Sequence, residues 1–362
     1  WGSGNLGQGL SAGVGYAMAC RARGSNRRVF VLMSDGEQVK GQIAEARRMA
    51  VKENLSNLTV LIDFNHIQIS GRIEEIMPAD LPALWKADGW TVLECKGQDP
   101  ADLYDKMVLA AKNPTPAVIF CHNVMGSGVS FMEDVPDYHG KAATGEHYEK
   151  AMKELGFGPS MGEEARKRRT QELPVALEDP FNGMVDIETG TPREYGADKK
   201  TDNRSAFGSA LEDVGKTNYE RPGATPVLVF DCDLAGSVKT DGFAKSCPGW
   251  FKEMGIQEHS TATVAGAASC AGVVSLWADF GVFGLDEVYN QQRLNDINGT
   301  NLKVALTHVG LDVGEDGMTH QCIDYAGLLR NTYGWKLVVP ADPNQTDRVT
   351  RWALGTHGNI CL

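Results

Sequence analysis

Two short polar strings each follow a run of apolar residues: Ser34-Asp35-Gly36-Glu37 and Asp63-Phe64-Asn65-His66-Ile67. The runs, 29–33 and 58–62, have the composition of buried parallel strands, and the apolar residues of 42–53 recur with helical spacing. The carboxyl ends of parallel strands meet at one edge of a sheet, where ligands bind. An Asp carboxylate, an Asn amide oxygen and a nearby backbone carbonyl suit Mg²⁺ or Ca²⁺ bridging to a diphosphate better than Zn²⁺.

Either string alone is most often just a turn. Both strings together, correctly spaced after two buried strands, favour the metal site. The elements that position them belong to an alternation of strands and helical segments that runs along most of the chain. Further strands are predicted at 91–95 and 117–122, and then at 227–230, 273–277, 303–307 and 336–339.

This alternation predicts an α/β fold with two consecutive doubly wound, mostly parallel-sheet domains. The first domain is expected at 1–155 and the second at 201–362. Between them, residues 156–200 are charged and contain Pro and Gly without any sustained period, which indicates a solvated linker. The most apolar stretch, Ala262 to Trp277, is too short to span a bilayer and predicts a buried helix followed by a strand.

Composition excludes several classes of partner. The chain has 362 residues and a formal net charge of -12, which argues against nonspecific binding to nucleic acid or to an anionic membrane. Its eight cysteines show no zinc-binding spacing, so we expect reduced thiols in a cytoplasmic protein. The chain begins at Trp1 rather than Met, so the sequence carries little information about targeting.

The two polar strings resemble the Gly-Asp-Gly to Asn motif of the transketolase family, whose members bind thiamine diphosphate. The resemblance implies that Asp35, Asn65 and the carbonyl of Ile67 hold Mg²⁺ (or Ca²⁺). It also implies that Gly36 lets the backbone approach the diphosphate. The two domains would then be a diphosphate-binding domain and a pyrimidine-binding domain.

Two other segments of the first domain extend the resemblance. The string Gly4-Asn5-Leu6-Gly7-Gln8-Gly9 is similar to a family loop in which the residues at Gly4 and Leu6 contact the aminopyrimidine ring. By itself this string would only indicate packing at a helix start. Tyr138-His139-Gly140-Lys141, with the helical segment 147–151 after it, resembles the family's His-Gly segment. The resemblance implies that His139 contacts the diphosphate and the reacting carbon.

The second domain carries the most specific string, Gly314-Glu315-Asp316-Gly317-Met318-Thr319-His320-Gln321. An Asp and two His near one strand end could form a metal site in isolation. The string instead resembles the family's Gly-x-Asp-Gly-x-Thr-His-Gln loop, which assigns Asp316 and His320 to sugar hydroxyls and His308 to a substrate phosphate. The family's other phosphate contacts are matched by Arg204 and Ser237.

Glu258 lies in Gly255-Ile256-Gln257-Glu258-His259, at the start of a helix of small residues. A Glu at this position is ordinarily only a favourable partner for the helix dipole. The resemblance implies that Glu258 hydrogen-bonds N1′ of the pyrimidine and favours the imino form of its 4′-amine, which takes the proton from C2. This role needs a carboxyl group that is protonated or shares a proton, and burial raises a carboxyl pKa in that direction. Phe280 and Phe283 match aromatic residues that pack on the pyrimidine.

Three positions bear on how completely the family pattern is kept. Lys40 replaces a Glu of a proposed carboxylate network between cofactor sites, whereas Glu45 matches a second glutamate of that region. Asp286 stands where an aromatic residue is usual. The chain also starts after a region with three family histidines and ends before a phosphate-binding Arg and a third domain. We therefore expect those parts on a separate polypeptide or outside this sequence.

The resemblance implies an enzyme of the pentose phosphate pathway that transfers a two-carbon ketol unit from a ketose phosphate to an aldose phosphate. Glu258, His139, His308 and His320 would carry the catalysis, in a homodimer with its sites at the subunit interface. Two alternatives stay open. One is an enzyme like 1-deoxyxylulose-5-phosphate synthase, which decarboxylates pyruvate and which Lys40 mildly favours. The other is a non-catalytic transketolase-like subunit that binds no cofactor.

Overall fold

The structure is a computed structural model, and it describes residues 1–158, 160–171, 185–198 and 200–362. The chain splits into two compact units. The first unit consists of 1–31, 40–58 and the described part of 180–362, and the second of 32–39 and the described part of 59–179. Each unit is built around one parallel sheet, which confirms the predicted α/β class with two mostly parallel sheets.

A four-stranded sheet with the order β1-β2-β6-β5 belongs largely to the second unit. Strand β2 pairs in parallel with β6, and β5 does the same on the other side of β6. All four strands were predicted, and their observed bounds are β1 Val29–Ser34, β2 Leu58–Phe64, β5 Thr91–Lys96 and β6 Ala117–His122. A two-stranded antiparallel hairpin follows β2 and consists of β3 Ile67–Gln68 and β4 Gly71–Arg72.

Helices α1 and α2 belong to the first unit, and α2 confirms the helix predicted at 42–53. Helix α7 is exposed and falls within the segment predicted as a linker, whose residues 172–184 lie outside the described residues. The helices of this half of the chain are α1 Gly9–Ala22, α2 Gly41–Lys52, α3 Ile73–Ile76, α4 Leu81–Ala87, α5 Pro100–Lys112, α6 Glu146–Glu154 and α7 Ser160–Arg169.

The first unit contains a six-stranded sheet with the order β11-β12-β10-β9-β7-β8. Every residue of β9 is buried, as expected for a central parallel strand covered by helices on both faces. Sequence reasoning missed only the short strands β8 and β12 of this sheet. The strands are β7 Val227–Asp231, β8 Phe251–Glu253, β9 Val274–Phe280, β10 Leu302–Thr307, β11 Lys336–Leu337 and β12 Ile360–Cys361.

Around this sheet lie α8 Asn203–Asn218, α9 Ala235–Val238, α10 Asp241–Ser246, α11 Glu258–Ser269, α12 Tyr289–Ile297, α13 Tyr325–Leu329 and α14 Pro343–Gly355. A π-helix, Val282–Glu287, follows β9. The stretch predicted as a buried helix and a strand is α11 and β9, which confirms that prediction. Among the described residues, no helix has both the length and the apolar character needed to cross a membrane.

Small residues let α1 and α11 approach closely within the first unit. A Cβ atom added at Gly15 would lie 2.3 Å from the carbonyl oxygen of Val264, so a larger residue would force the helices apart. The Ser11 and Ser260 hydroxyls lie 3.1 Å apart across the same contact. This packing places α1 against the helix that begins at Glu258.

Candidate active site

Asp35 and Asn65 lie at the carboxyl ends of β1 and β2, as the sequence predicts. The amide N–H of His66 donates to Asp35 Oδ2 at 2.6 Å, which joins the two loops directly. Asn65 Oδ1 accepts the amide N–H of Ile67 at 2.8 Å, so the Asn side chain is folded over its own turn. The structure therefore brings together the three residues predicted to bind the metal.

The environment of Asp35 suits a divalent cation. Its side chain is 2 % exposed, and burial, with a smaller effect from the nearby Asp63, raises its carboxyl pKa. The neighbouring Asn65 and Ile67 add an amide oxygen and a backbone carbonyl, so the available donors are all oxygen atoms. A cation here would offset the cost of keeping the Asp35 carboxylate buried. These three residues fit Mg²⁺ or Ca²⁺ as ligands.

Gly36 follows Asp35 and lies close to the side chain of Gln68. A Cβ atom added there would lie 2.9 Å from Oε1 of Gln68. A larger residue at Gly36 would therefore have to displace the end of the Gln68 side chain. This geometry is compatible with the predicted approach of a diphosphate.

Sequence reasoning missed two residues that hold Asn65 in place. Asp63 Oδ2 accepts from Asn65 Nδ2 at 3.0 Å, and Asp63 Oδ1 accepts from Asn123 Nδ2 at 2.5 Å. This pairing fixes which end of the Asn65 amide group can face a cation, because the NH₂ group points to Asp63. The available signal was that Asn123 directly follows β6, as Asp35 follows β1.

His139 is exposed and follows the short 3₁₀ helix Pro136–Tyr138. Nearby, the Tyr138 hydroxyl and His147 Nδ1 lie 3.1 Å apart, which ties this segment to α6. Within the part of the chain that the structure describes, the His139 imidazole makes no hydrogen bond to the Asp35 loop. Its predicted contact with the diphosphate stays a prediction.

In the first unit, the predicted phosphate-binding residues meet at the carboxyl end of β10. Arg204 Nη1 donates to His308 Nε2 at 3.2 Å and lies 3.4 Å from the carbonyl oxygen of Ser237. The Phe280 ring packs on the His308 imidazole with 3.9 Å between ring centroids. Residues from α8, α9, β9 and the end of β10 thus form one cluster.

The protonation state of His308 follows from these contacts. Arg204 can only donate, so His308 Nε2 is an acceptor and the imidazole is neutral, with Nδ1 2.8 Å from Thr307 Oγ1. Burial and the positive charge of Arg204 lower the pKa of His308. An anion bound beside the guanidinium would favour protonation of His308, and both groups would then bind it as cations.

The predicted sugar-binding loop joins this cluster through His320. The Phe283 and His320 rings are 5.3 Å apart, and Phe280 lies 6.3 Å from the same imidazole. Asp316 is exposed in the loop and acts electrostatically on His308. Asp286, which stands where the family usually has an aromatic residue, has a local partner. The Cys322 thiol donates to its carboxylate at 3.1 Å.

Glu258 is the first residue of α11 and is half-buried. Burial raises its pKa, and the nearby carboxylates of Glu287 and Glu45 act in the same direction. Glu45 itself accepts the amide N–H of Ser260 at 2.8 Å. The raised pKa is the direction that the predicted role of Glu258 requires.

Lys40 has a partner that the sequence did not reveal. Its ammonium group donates to the carbonyl oxygen of Leu6 at 2.7 Å. Gly7 has a φ of +83°, and a Cβ atom there would lie 2.5 Å from Lys40 Cδ, so the lysine stem packs against the loop. Lys40 thus holds the loop that contains Gly4 and Leu6.

A buried amide network beside this loop was also missed. Gln8 and Gln42 exchange two side-chain hydrogen bonds, of 2.9 and 3.0 Å. Thr263 Oγ1 donates to Gln8 at 2.7 Å, and Gln291 donates to Gln42 at 3.1 Å. The signal available in the sequence was a glutamine at an otherwise apolar helix position.

Comparison with known families gives two matches that together cover most of the chain. The model described as "Transketolase, thiamine diphosphate binding domain" matches residues 1–172. The model described as "Transketolase, pyrimidine binding domain" matches residues 199–362. Both domain types are those that the resemblance to the transketolase family implies.

Individual relatives are distant. "Transketolase-like protein 2" of Mus musculus is 28% identical over 98% of this chain and 56% of its own length. "Transketolase" of Homo sapiens is 25% identical over 99% of this chain and 56% of its own length. The solved transketolase of Campylobacter jejuni superposes with a TM-score of 0.83 at 24% identity, covering 99% of this chain and 60% of that structure. The chain spans little more than half the length of these relatives.

Proposed function

Because the chain belongs to the transketolase family, we propose that it transfers a two-carbon ketol unit from a ketose phosphate to an aldose phosphate. The observation that carries this proposal is the cluster of Arg204, His308, Phe280 and His320, whose side chains are the ones we propose to bind phosphate and exchange protons. The reaction would depend on thiamine diphosphate, for which the chain contains the family's binding domain.

The cofactor side of the site is supported by the loops after β1 and β2. Mg²⁺ or Ca²⁺ would be held by Asp35, Asn65 and the Ile67 carbonyl. The diphosphate would be contacted by Gly36 and His139. The pyrimidine would be contacted by Gly4, Leu6, Phe280 and Phe283. Thiamine diphosphate, when bound, supplies an electron sink for breaking the carbon–carbon bond. Glu258 would hold a proton at N1′ of the pyrimidine in a site kept dry by burial.

The proposed substrate-binding side of the site is supported by the charged and polar residues at the carboxyl end of β10. Arg204, Ser237 and His308 would bind the substrate phosphate. Asp316 and His320 would contact the sugar hydroxyls, and His139, His308 and His320 would exchange protons with the sugar oxygens. Neutral His308 can accept a proton, which suits both roles.

We propose the domain limits predicted above, with 1–155 as the diphosphate-binding domain, 156–200 as the linker and 201–362 as the pyrimidine-binding domain. A homodimer, in which each site combines the two domains from different subunits, is the assembly we propose for the complete protein. Sedimentation of that protein at several concentrations tests it, and a monomer at all of them would refute it. A place in the pentose phosphate pathway and a location in the cytoplasm also remain proposals.

The test of the proposed function uses the complete protein with thiamine diphosphate and Mg²⁺. Ketol transfer from xylulose 5-phosphate to an aldose phosphate is measured beside release of CO₂ from pyruvate. We expect the first activity and not the second. Arg204→Gln should raise KM for phosphorylated sugars by about 10- to 100-fold, since a hydrogen bond to a charged group contributes about 1.5–3 kcal/mol. The matched control is Arg348→Gln, because Arg348 is exposed on α14.

Two alternatives make different predictions in the same assays. Lys40 supports a decarboxylating enzyme similar to 1-deoxyxylulose-5-phosphate synthase, which would release CO₂ from pyruvate. A non-catalytic transketolase-like subunit would show no Mg²⁺-dependent binding of thiamine diphosphate by isothermal titration. That last result, obtained with the complete protein, would exclude both enzymes.

A further inference from the structure

A second buried carboxyl group lies close to Glu258. A carboxyl oxygen of Glu258, a carboxyl oxygen of Asp279 and the Sγ atom of Cys232 all lie within 4.8 Å of one another. Asp279 is the residue before Phe280, the last residue of β9, and its side chain is 0 % exposed. The family resemblance assigns no role to this residue.

Asp279 is incompletely satisfied in the structure. Its Oδ1 accepts the amide N–H of Phe280 at 2.7 Å. Its Oδ2 is buried and has no hydrogen-bond partner among the described residues. A buried carboxylate oxygen without a donor is costly, whereas a protonated one becomes a donor that needs an acceptor. The adjacent Glu258 carboxylate can be that acceptor.

The other titratable groups near Asp279 and Glu258 decide whether a proton is held by one of these two carboxyl groups. The Cys232 thiol donates to Thr261 Oγ1 at 3.4 Å, and burial raises its pKa, so it stays neutral. Asp231 on β7 is a second buried acid near Asp279. Around Glu258, the other titratable groups are Glu45, Glu287 and His259.

We propose that Asp279 is a positioning residue that shares one proton with Glu258. In the free protein, Asp279 carries the proton and Glu258 is the carboxylate. When Glu258 needs the proton for its contact with N1′, the O–H bond of Asp279 breaks and one forms on Glu258, so the pair keeps a total charge of -1. This inference rests on the proposed function and deepens it, because it supplies the proton donor at a site where Lys40 has replaced a carboxylate.

Burial supports this assignment of the proton. Burial, with added effects from Glu258 and Asp231, raises the pKa of Asp279 to about 8, so Asp279 is the more protonated member of the pair at neutral pH. Glu258 is less buried and its pKa is raised less strongly. Two carboxyl groups this close in a buried site cannot both be charged without a large cost.

The test is infrared spectroscopy of the complete protein without cofactor, titrated from pH 5 to 9. The wild type should show the C=O band of one protonated carboxyl group that persists at pH 7 and disappears near pH 8. Asp279→Asn should remove that band. Glu258→Gln should keep it and lower its midpoint by at least about one pH unit, because the neighbouring negative charge is gone. Asp231→Asn serves as the buried-carboxyl control: it should keep the band and lower its midpoint less than Glu258→Gln does, because Asp231 raises the pKa of Asp279 less than Glu258 does.

Three results would overturn the proposal: a band unaffected by Asp279→Asn, a midpoint unchanged in Glu258→Gln, or stoichiometric Zn²⁺ at the cluster by elemental analysis. The Glu258→Gln measurement keeps the test decisive if Asp279→Asn fails to fold. With cofactor added, Asp279→Asn should slow exchange of the C2 proton while leaving the Kd of thiamine diphosphate within about twofold. A protein that binds no thiamine diphosphate refutes the proposed function, whereas the infrared result still decides the proton sharing.

Discussion

Replacing Lys40 tests how this chain holds the loop with Gly4 and Leu6, which we propose contacts the pyrimidine. Lys40→Met keeps most of the stem that packs on Gly7 but removes the ammonium group that donates to the Leu6 carbonyl. A hydrogen bond to a charged group contributes about 1.5–3 kcal/mol, and the exposure of Lys40 reduces this to about 1 kcal/mol. If the loop must be ordered for binding, the Kd of thiamine diphosphate should rise about fivefold.

The assay is isothermal titration of the complete protein with thiamine diphosphate at saturating Mg²⁺. Lys40→Arg is the matched control, since it retains a donor that can reach Leu6, and its Kd should change less than that of Lys40→Met. Lys40→Glu restores the carboxylate that is usual in the family, but it places an acceptor opposite the Leu6 carbonyl. We therefore expect its affinity to be weaker than that of Lys40→Met. An unchanged Kd in both Met and Glu variants would refute the role of Lys40 in holding the loop.

Three further predictions concern the proposed metal site, the carboxyl group of Glu258 and a buried lysine. Asp35→Ala should weaken Mg²⁺-dependent binding of thiamine diphosphate more than about 100-fold in titrations. The control is Asp105→Ala, which should not weaken binding because Asp105 is exposed on α5. If Asp35→Ala kept its affinity, the string Ser34-Asp35-Gly36-Glu37 would be only a turn. Glu258→Gln should leave that affinity nearly unchanged and slow H/D exchange at C2 by about 100-fold or more, and an unchanged exchange rate would exclude its activating role. Burial lowers the pKa of Lys303 from 10.5 to about 7. Between these two pH values the folded state binds fewer protons than the unfolded state, so the free energy of unfolding rises with pH. Urea unfolding between pH 7 and 10 should show that Lys303→Met reduces this slope by up to about 1.4 kcal/mol per pH unit, and an equal slope in both proteins would contradict a neutral Lys303.

The elements and one part of the site could be read from the sequence, because their signals are local. Strand β6 has the predicted bounds, and β2 and β10 differ from theirs by two residues or fewer. The proximity of Asp35 and Asn65 followed from one rule, that the ends of neighbouring parallel strands meet. The short strands β8 and β12 were missed because runs of two or three residues carry no detectable period.

Tertiary packing decided the pairs that join distant parts of the chain. The contact of Lys40 with Leu6 depends on where α2 begins relative to the loop before α1, and no periodicity records that relation. The meeting of Asp279 with Glu258 depends on how β9 lies against the start of α11. The sequence by itself therefore determined the fold class, the family and the position of the two loops predicted to hold the metal, whose residues are placed by strand ends. Tertiary packing alone revealed which carboxyl groups lie close to each other and which residue bonds to the loop that contains Gly4 and Leu6.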